Sequence, residues 1–127
     1  MMGLEHIHNF DYIILLCADM ARMRSFYEDV MGFSSEQDLE SWVSFRVGSS
    51  LLTLRPRASY HGDMPSRSSA VQLAFRVPPS AVDECYAELV AKGVAMVSEP
   101  RDLPDWRHRA LFFRDPEHNV IEIYAEY

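Results

Sequence analysis

The chain repeats one order of secondary-structure signals twice, and this duplication constrains its fold more than any other feature. One strand pattern begins at Tyr12 and a second begins at Gln72, 60 positions further on. The helix that follows each strand ends at a glycine, and these two residues, Gly32 and Gly93, lie 61 positions apart. Matching intervals between strand starts and helix ends indicate internal repetition, which weighs more than local propensity in assigning an architecture. The sequence therefore predicts two copies of one unit.

The first repeat, residues 10–56, contains the signals of one helix and four strands. Alternating apolar, β-branched and aromatic residues predict strands over 12–17, 33–38, 42–47 and 51–55. A helix is predicted over 20–31, because Asp19 suits the N-cap position and Gly32 suits the end. Residues 57–69 then turn to Ser, Gly, Pro, Met and Arg, a composition typical of a linker.

The second repeat, residues 70–127, presents the same order. Strands are predicted over 71–77, 94–98, 109–114 and 120–125, with a helix over 81–92 that Gly93 ends. Each repeat is therefore a βαβββ unit whose helix covers one face of its sheet. We expect an α+β fold in a single domain of 127 residues. In this fold two βαβββ repeats form curved mixed sheets around a cleft, with the helices on the outer faces.

Side-chain alternation along each strand assigns one face of the sheet to the helix and the other to the cleft. Leu73 and Phe75 are predicted to face the second helix, so Gln72 faces away from it. The far faces are too apolar and carry too many functional groups for open solvent, so they predict a ligand site. The residues expected there are Tyr12, Trp42, Ser44, Arg46, Thr53, Arg55, Gln72, Arg76, Glu122 and Tyr124. A loop at the rim adds Trp106 and Arg109 to the predicted ligand-binding residues.

One carboxylate, Glu122, lies in the middle of the last predicted strand. The turn before it has the pattern Asp-Pro-x-x-Asn, in which Pro116 presets φ while His118 and Asn119 tolerate positive φ. Beyond the turn, Glu122 has apolar neighbours on both sides. A carboxylate in such a setting is costly to bury unless it is paired or bound to a cation. Glu122 is therefore the first candidate functional residue.

The composition argues against several classes of partner. A formal net charge of −7 disfavours nucleic acid and anionic membrane surfaces. The apolar run over 12–17 is too short to span a membrane and follows no basic leader. Cys17 and Cys85 fit ordinary buried thiols rather than a disulfide framework. We expect a cytoplasmic protein that binds neither nucleic acid nor membranes.

Three segments of the chain match a known pattern. They are Asp11-Tyr12-Ile13-Ile14-Leu15-Leu16-Cys17-Ala18-Asp19 leading into Ser25-Phe26-Tyr27-Glu28-Asp29-Val30-Met31-Gly32-Phe33, then Gln72-Leu73-Ala74-Phe75-Arg76-Val77, and finally Phe112-Phe113-Arg114-Asp115-Pro116-Glu117-His118-Asn119-Val120-Ile121-Glu122. In these segments the chain resembles the vicinal oxygen chelate superfamily of glyoxalase I, bleomycin resistance proteins, fosfomycin resistance enzymes and extradiol dioxygenases. The resemblance covers residues 10–124 and implies a homodimer, since these folds commonly pair units across chains. It fixes no reaction, because this fold hosts several.

The resemblance also implies where a metal would bind. In metal-dependent members a His or Gln often starts the first strand, a His starts the strand that opens the second unit, and a Glu lies on the last strand. The matching positions are Tyr12, Gln72 and Glu122, of which only Glu122 fits the common pattern. One carboxylate and one amide hold a divalent metal poorly. No metal cofactor is therefore favoured, and a bound divalent metal would have Gln72 and Glu122 as ligands. Each of the five histidines, His6, His8, His61, His108 and His118, is expected at the surface.

Three functions remain open. The first is a metal-independent small-molecule binding protein whose ligand is aromatic or carries an anionic or carbonyl oxygen, because arginine binds carboxylates and stacks on rings. Against the anionic ligand, any one of Arg46, Arg55 and Arg76 could simply neutralise Glu122. The second is a metal-dependent lyase, isomerase or dioxygenase, in which Glu122 ligates metal or acts as general base and Tyr12 donates a proton. The third is a dimeric scaffold without a small ligand.

Overall fold

The computed structural model describes residues 3–57 and 71–127, and the chain divides into two compact units, one for each repeat. The strands of the first repeat are β1 (Tyr12–Cys17), β2 (Ser35–Leu39), β3 (Trp42–Val47) and β4 (Ser50–Pro56), and a 3-10 turn at Leu4–His6 precedes them. They form one sheet in the order β1-β4-β3-β2. Strand β1 runs parallel to β4, whereas β3 is antiparallel to both β4 and β2, so the sheet is mixed.

The helix of the first repeat, α1 (Met20–Ser25), continues as a π-helical turn at Phe26–Val30. The Asp19 carboxylate accepts a hydrogen bond from the Arg22 backbone N–H at 3.0 Å and so caps the helix. Gly32, just beyond the helical turns, has a φ of 74° that favours glycine. Both predicted helix ends are therefore confirmed.

The second repeat has the same topology. Its elements are β5 (Gln72–Arg76), α2 (Ala81–Ala91), β6 (Met96–Leu103), β7 (His108–Arg114) and β8 (Val120–Glu126). The sheet order is β5-β8-β7-β6, with β5 parallel to β8 and the other pairs antiparallel. The prediction of two βαβββ repeats with mixed sheets in an α+β fold is confirmed. In residues 3–57 and 71–127, no helix has both the length and the apolar character needed to cross a membrane.

Two strand predictions differ from the structure by more than one residue at an end. Strand β2 begins at Ser35 rather than at residue 33, because the Phe33 backbone N–H bonds the Tyr27 carbonyl at 3.0 Å and its ring stacks on Tyr27. Strand β6 runs to Leu103 rather than ending at residue 98, because its pairing with β7 resumes beyond two register shifts. Of the predicted linker, only Arg57 lies within the described residues, and His61 lies outside them.

Each helix packs on one face of its own sheet. The core of each repeat lies between its helix and its sheet. In the first repeat α1 contacts β4, and the buried apolar residues are Leu15, Cys17, Met23, Tyr27, Val43, Phe45, Leu52 and Leu54. In the second repeat α2 contacts β6, β7 and β8, and the buried apolar residues are Leu73, Val82, Leu89, Ala110, Leu111, Phe113, Ile121, Ile123 and Ala125. Cys17 is buried, as expected, whereas Cys85 is half-buried, and desolvation raises the pKa of the Cys85 thiol.

The turn between β7 and β8 is organised by a buried carboxylate, Asp115, which is 3% exposed. It accepts hydrogen bonds from the backbone N–H groups of Glu117 at 2.9 Å and Asn119 at 3.0 Å. It also accepts one from the Asn119 side-chain amide at 2.8 Å. His118 occupies the left-handed region with φ 70°, in accord with the turn chemistry read from the sequence. These bonds fix where β8 starts, and therefore which of its residues lie opposite β7.

We predict that Asp115→Ala lowers the free energy of unfolding by about 3 kcal/mol, because it leaves buried N–H donors without an acceptor. Urea denaturation measures the loss. The control is Asp105→Ala in the exposed turn between β6 and β7, which should cost no more than about 0.5 kcal/mol. Equal losses from the two variants would refute the organising role of Asp115.

Candidate functional site

A pocket of about 440 Å³ lies within the second repeat, on the face of its sheet opposite α2. Eight of the described residues line it: Gln72, Ala74, Leu103, Trp106, His108, Phe112, Glu122 and Tyr124. The volume falls in the range of small-molecule sites, about 300–1,000 Å³. We call it the second-repeat pocket.

Strand register brings the pocket residues together around Glu122. On one side β8 pairs with β5, so that Glu122 lies beside Ala74. On the other side β8 pairs with β7, so that Glu122 lies beside Phe112 and Tyr124 lies beside Ala110. Because β8 is an interior strand, its carboxylate has a strand on both sides.

The Glu122 carboxylate is half-buried and has one hydrogen-bond donor beside it. The Gln72 side-chain Nε2 donates to Glu122 Oε1 at 3.0 Å, which joins β5 to β8 through their side chains. None of the ion pairs found among the described residues involves Glu122. A carboxylate accepts at about four lone-pair positions, so Glu122 keeps acceptor capacity for a ligand.

Aromatic rings form another part of the pocket lining. The His108 ring stacks on the Tyr124 ring, with centroids 4.4 Å apart and planes inclined by 24°. Trp106 is 67% exposed in the turn between β6 and β7, although its ring borders the pocket. That turn is held by a hydrogen bond from the Trp106 backbone N–H to the Leu103 carbonyl at 3.1 Å. A flat molecule in this pocket would therefore find ring faces to stack on.

The arginines expected in the site have other partners. Arg46 pairs with Glu36 at 2.8 Å, and the Glu36 hydrogen bonds raise the pKa of the Arg46 guanidinium. Arg76 pairs with Glu126 at 3.1 Å, not with Glu122. Arg55 lies over the Trp42 ring, 5.9 Å from its centroid. None of the described residues that line the second-repeat pocket is Arg or Lys.

Arg109 lies on the helix side of the sheet and not in the pocket. Its guanidinium donates to Asp83 on α2 at 2.8 and 3.1 Å and to Asp102 on β6 at 3.1 Å. Strand β7 begins at His108, one residue earlier than predicted, and Arg109 is its second residue. Alternation then directs Arg109 toward α2. Its placement at the rim in the sequence analysis is corrected accordingly.

The same shift brings a residue into the pocket that the sequence analysis assigned to the surface. His108 lies in β7, two residues before Ala110 and four before Phe112, and so shares their face of the sheet. Counting back along this strand from Phe112 with a period of two would have found it. Leu103 was missed for a related reason, because β6 was predicted to end before it.

The predicted site residues of the first repeat have contacts within that repeat. Tyr12 lies edge-on to Trp42, with ring centroids 6.3 Å apart. The Trp42 indole N–H donates to the Gln37 side-chain oxygen at 2.9 Å. Ser44 and Thr53 are fully buried and share a hydrogen bond of 2.7 Å between their hydroxyls. This sheet face is therefore occupied by side chains bonded to each other.

The residues of the second-repeat pocket do not fit a metal centre of the usual kind. Among residues 3–57 and 71–127, no three His, Cys, Asp or Glu side chains come close enough together to hold a metal ion. The Gln72 amide turns its N–H toward Glu122 rather than lying beside it as a second oxygen ligand. Stable divalent sites need three or more strong donors.

The duplicated topology is that of a known superfamily. A profile of the Glyoxalase/Bleomycin resistance protein/Dioxygenase superfamily matches residues 9–123, and the chain belongs to this superfamily. It is 31% identical to the uncharacterized protein YraH of Bacillus subtilis, over 88% of this chain and 94% of that one. It is 24% identical to a virulence protein of Salmonella typhimurium, over 92% of this chain and 83% of that one. The family resemblance found in the sequence is confirmed.

Solved structures share the fold. A glyoxalase/bleomycin resistance protein/dioxygenase from Nocardioides matches with a TM-score of 0.78 and 22% identity, covering 94% of this chain and 84% of that one. Lactoylglutathione lyase from Agrobacterium tumefaciens matches with a TM-score of 0.77 and 22% identity, covering 92% of each chain. At these identities the similarity shows the fold alone.

The ion pair between Asp83 and Arg109 should make the stability of the folded protein depend on pH. Hydrogen bonds from Arg109 hold the pKa of the Asp83 carboxyl below its usual value of 3.8. A carboxylate with a lowered folded pKa stabilises the protein above its unfolded pKa, and this contribution is lost as the pH falls through the folded pKa. We expect Asp83→Asn to lower the melting temperature at neutral pH and to have no effect at a pH well below 3.8.

The matched control is Asp105→Asn, at an exposed carboxylate in the β6–β7 turn. Its effect on the melting temperature should not follow this pH profile. If the Asp83→Asn difference were the same at acid and neutral pH, the pair with Arg109 would not be its cause.

Proposed function

We propose that this protein binds a small aromatic molecule in the second-repeat pocket and that binding needs no metal ion. The observation that carries the proposal is the stack of His108 on Tyr124, 4.4 Å apart, in a pocket that Trp106 also borders. Offset ring stacking contributes about 0.5–1.5 kcal/mol per pair beyond the burial of area. The His108–Tyr124 stack and the Trp106 ring, which border one pocket, therefore favour a planar ligand.

The other lining residues support a binding role. Leu103, Phe112 and Ala74 supply apolar surface, and the Gln72–Glu122 pair supplies a donor and an acceptor. Ligand sites are typically apolar with a few polar groups that fix orientation. The second-repeat pocket combines apolar surface with orienting polar groups within one repeat.

Binding accounts for the site better than metal-dependent turnover does. The superfamily includes both enzymes and resistance proteins, so membership does not decide between them. The described residues bring one carboxylate and one amide to the position where a metal centre would need stronger donors. Binding a small molecule, as a resistance protein does, requires only a pocket of suitable shape and the polar Gln72–Glu122 pair.

We predict saturable binding of 2-naphthol, a neutral aromatic probe, with quenching of Trp106 fluorescence. Titration calorimetry gives the affinity, and Trp106→Phe should remove most of the quenching. Ala74→Phe fills the pocket from β5 and should weaken binding about tenfold or more, which corresponds to about 1.4 kcal/mol. The affinity should be unchanged after dialysis against EDTA.

The control for Ala74→Phe is Ala87→Phe, the same change at an exposed position of α2. It should leave the affinity unaltered. Equal weakening by both variants, or no weakening by Ala74→Phe, would place the ligand elsewhere. Binding that is lost with EDTA and restored by a divalent ion would overturn the metal-independent proposal.

A further inference from the structure

We infer that the ligand of the second-repeat pocket is a planar nitrogen heteroaromatic that donates N–H hydrogen bonds to Glu122 and carries positive charge. The inference rests on the proposed function and specifies the chemistry that this pocket selects. The observation behind it is a half-buried carboxylate that has no cationic partner among the described residues and faces a space bordered by rings.

The charge already present in the pocket disfavours an anionic ligand. Its described lining contains one carboxylate, Glu122, and one imidazole, His108, but no lysine or arginine. Arg76, the predicted cation on the neighbouring strand β5, is paired with Glu126. Arg101 stacks on Phe112, with its guanidinium carbon 5.9 Å from the ring centroid, and is not a lining residue. An anionic ligand would therefore meet Glu122 with no Lys or Arg among the described lining residues to pair with it.

Covering Glu122 with a ligand costs free energy unless the ligand pairs with its carboxylate. A ligand that fills the pocket removes water from this carboxylate, and an unpaired buried charge is strongly unfavourable. Gln72 supplies one donor to Oε1, and no other hydrogen bond to Glu122 is found in the part of the chain that the structure describes. The ligand must supply the remaining donors. A protonated ring nitrogen with an adjacent amino group presents two of them in one plane, as a bidentate partner of a carboxylate does.

The aromatic rings of the pocket also favour a cationic ligand. Cations are attracted to the faces of Tyr and Trp rings, and the attraction grows as water is removed. Tyr124 and Trp106 border the same pocket as Glu122. A planar cation can therefore stack on these rings while its edge reaches the carboxylate. The net charge of the chain, −7, also favours the approach of cations over anions.

The test compares three probes of one shape at neutral pH: 2-aminoquinoline, which is the cationic N–H donor, neutral 2-naphthol, and anionic 2-naphthoate. Titration calorimetry on the full chain should rank them in that order. We expect 2-aminoquinoline to bind at least about tenfold more tightly than 2-naphthol, because a charge-assisted hydrogen bond exceeds a neutral one by that much.

Glu122→Gln should abolish the preference for 2-aminoquinoline while keeping the shape of the site. The matched control is Glu126→Gln, which removes the same charge from the same strand outside the pocket lining and should preserve the ranking. If the three probes bound equally, if 2-naphthoate bound best, or if Glu122→Gln kept the ranking, the inference would be overturned and the proposed function would stand. If no probe bound, both would fall.

Discussion

Parallel pairing of the first and last strands in each repeat is the constraint on which the structure depends. Because β1 pairs with β4 and β5 with β8, the strand that comes last in the sequence of each repeat is an interior strand of its sheet. Parallel neighbours require a crossover, which α1 and the strands after it provide in the first repeat. The arrangement gives β8 a partner on each side, and it is this double pairing that sets Glu122 between Ala74 and Phe112.

The two repeats share one strand topology but carry different polar side chains at matching positions. Thr53 occupies the position in β4 that Glu122 occupies in β8, since Ile14 pairs with Thr53 as Ala74 pairs with Glu122. In the first repeat the hydroxyls of Thr53 and Ser44 bond to each other and are fully buried. In the second, the carboxylate keeps acceptor capacity beside a pocket. Duplication therefore preserved the topology while the polar groups of the two copies diverged.

The sequence predicted strands and faces well where local chemistry is unambiguous. Strand β1 and the start of β8 lie where alternation and the Asp-Pro turn put them, and Asp19 caps α1 as expected. Strand β6 was shortened because Pro100 and its charged neighbours look like a loop, although an edge strand tolerates proline. Separately, the start of β7 was predicted one residue late, which assigned His108 to a loop.

The sequence alone did not predict which carboxylates pair with Arg46 and Arg76. Alternation gives the face on which Arg46 or Arg76 lies, yet a long side chain reaches several neighbours on that face. The choice of Glu36 and Glu126 depends on cross-strand register, which the sequence alone leaves open.

The irregular edge at β6 has a consequence for association between molecules. An exposed strand edge is a template for pairing with strands of other chains, which is how fibrils grow. At this edge Pro100 offers no amide hydrogen, and the ladder is interrupted between Met96 and Ser98 and again before Arg101. An incoming strand could not keep a continuous ladder along β6, so this edge of the second sheet is a poor template for amyloid-like stacking.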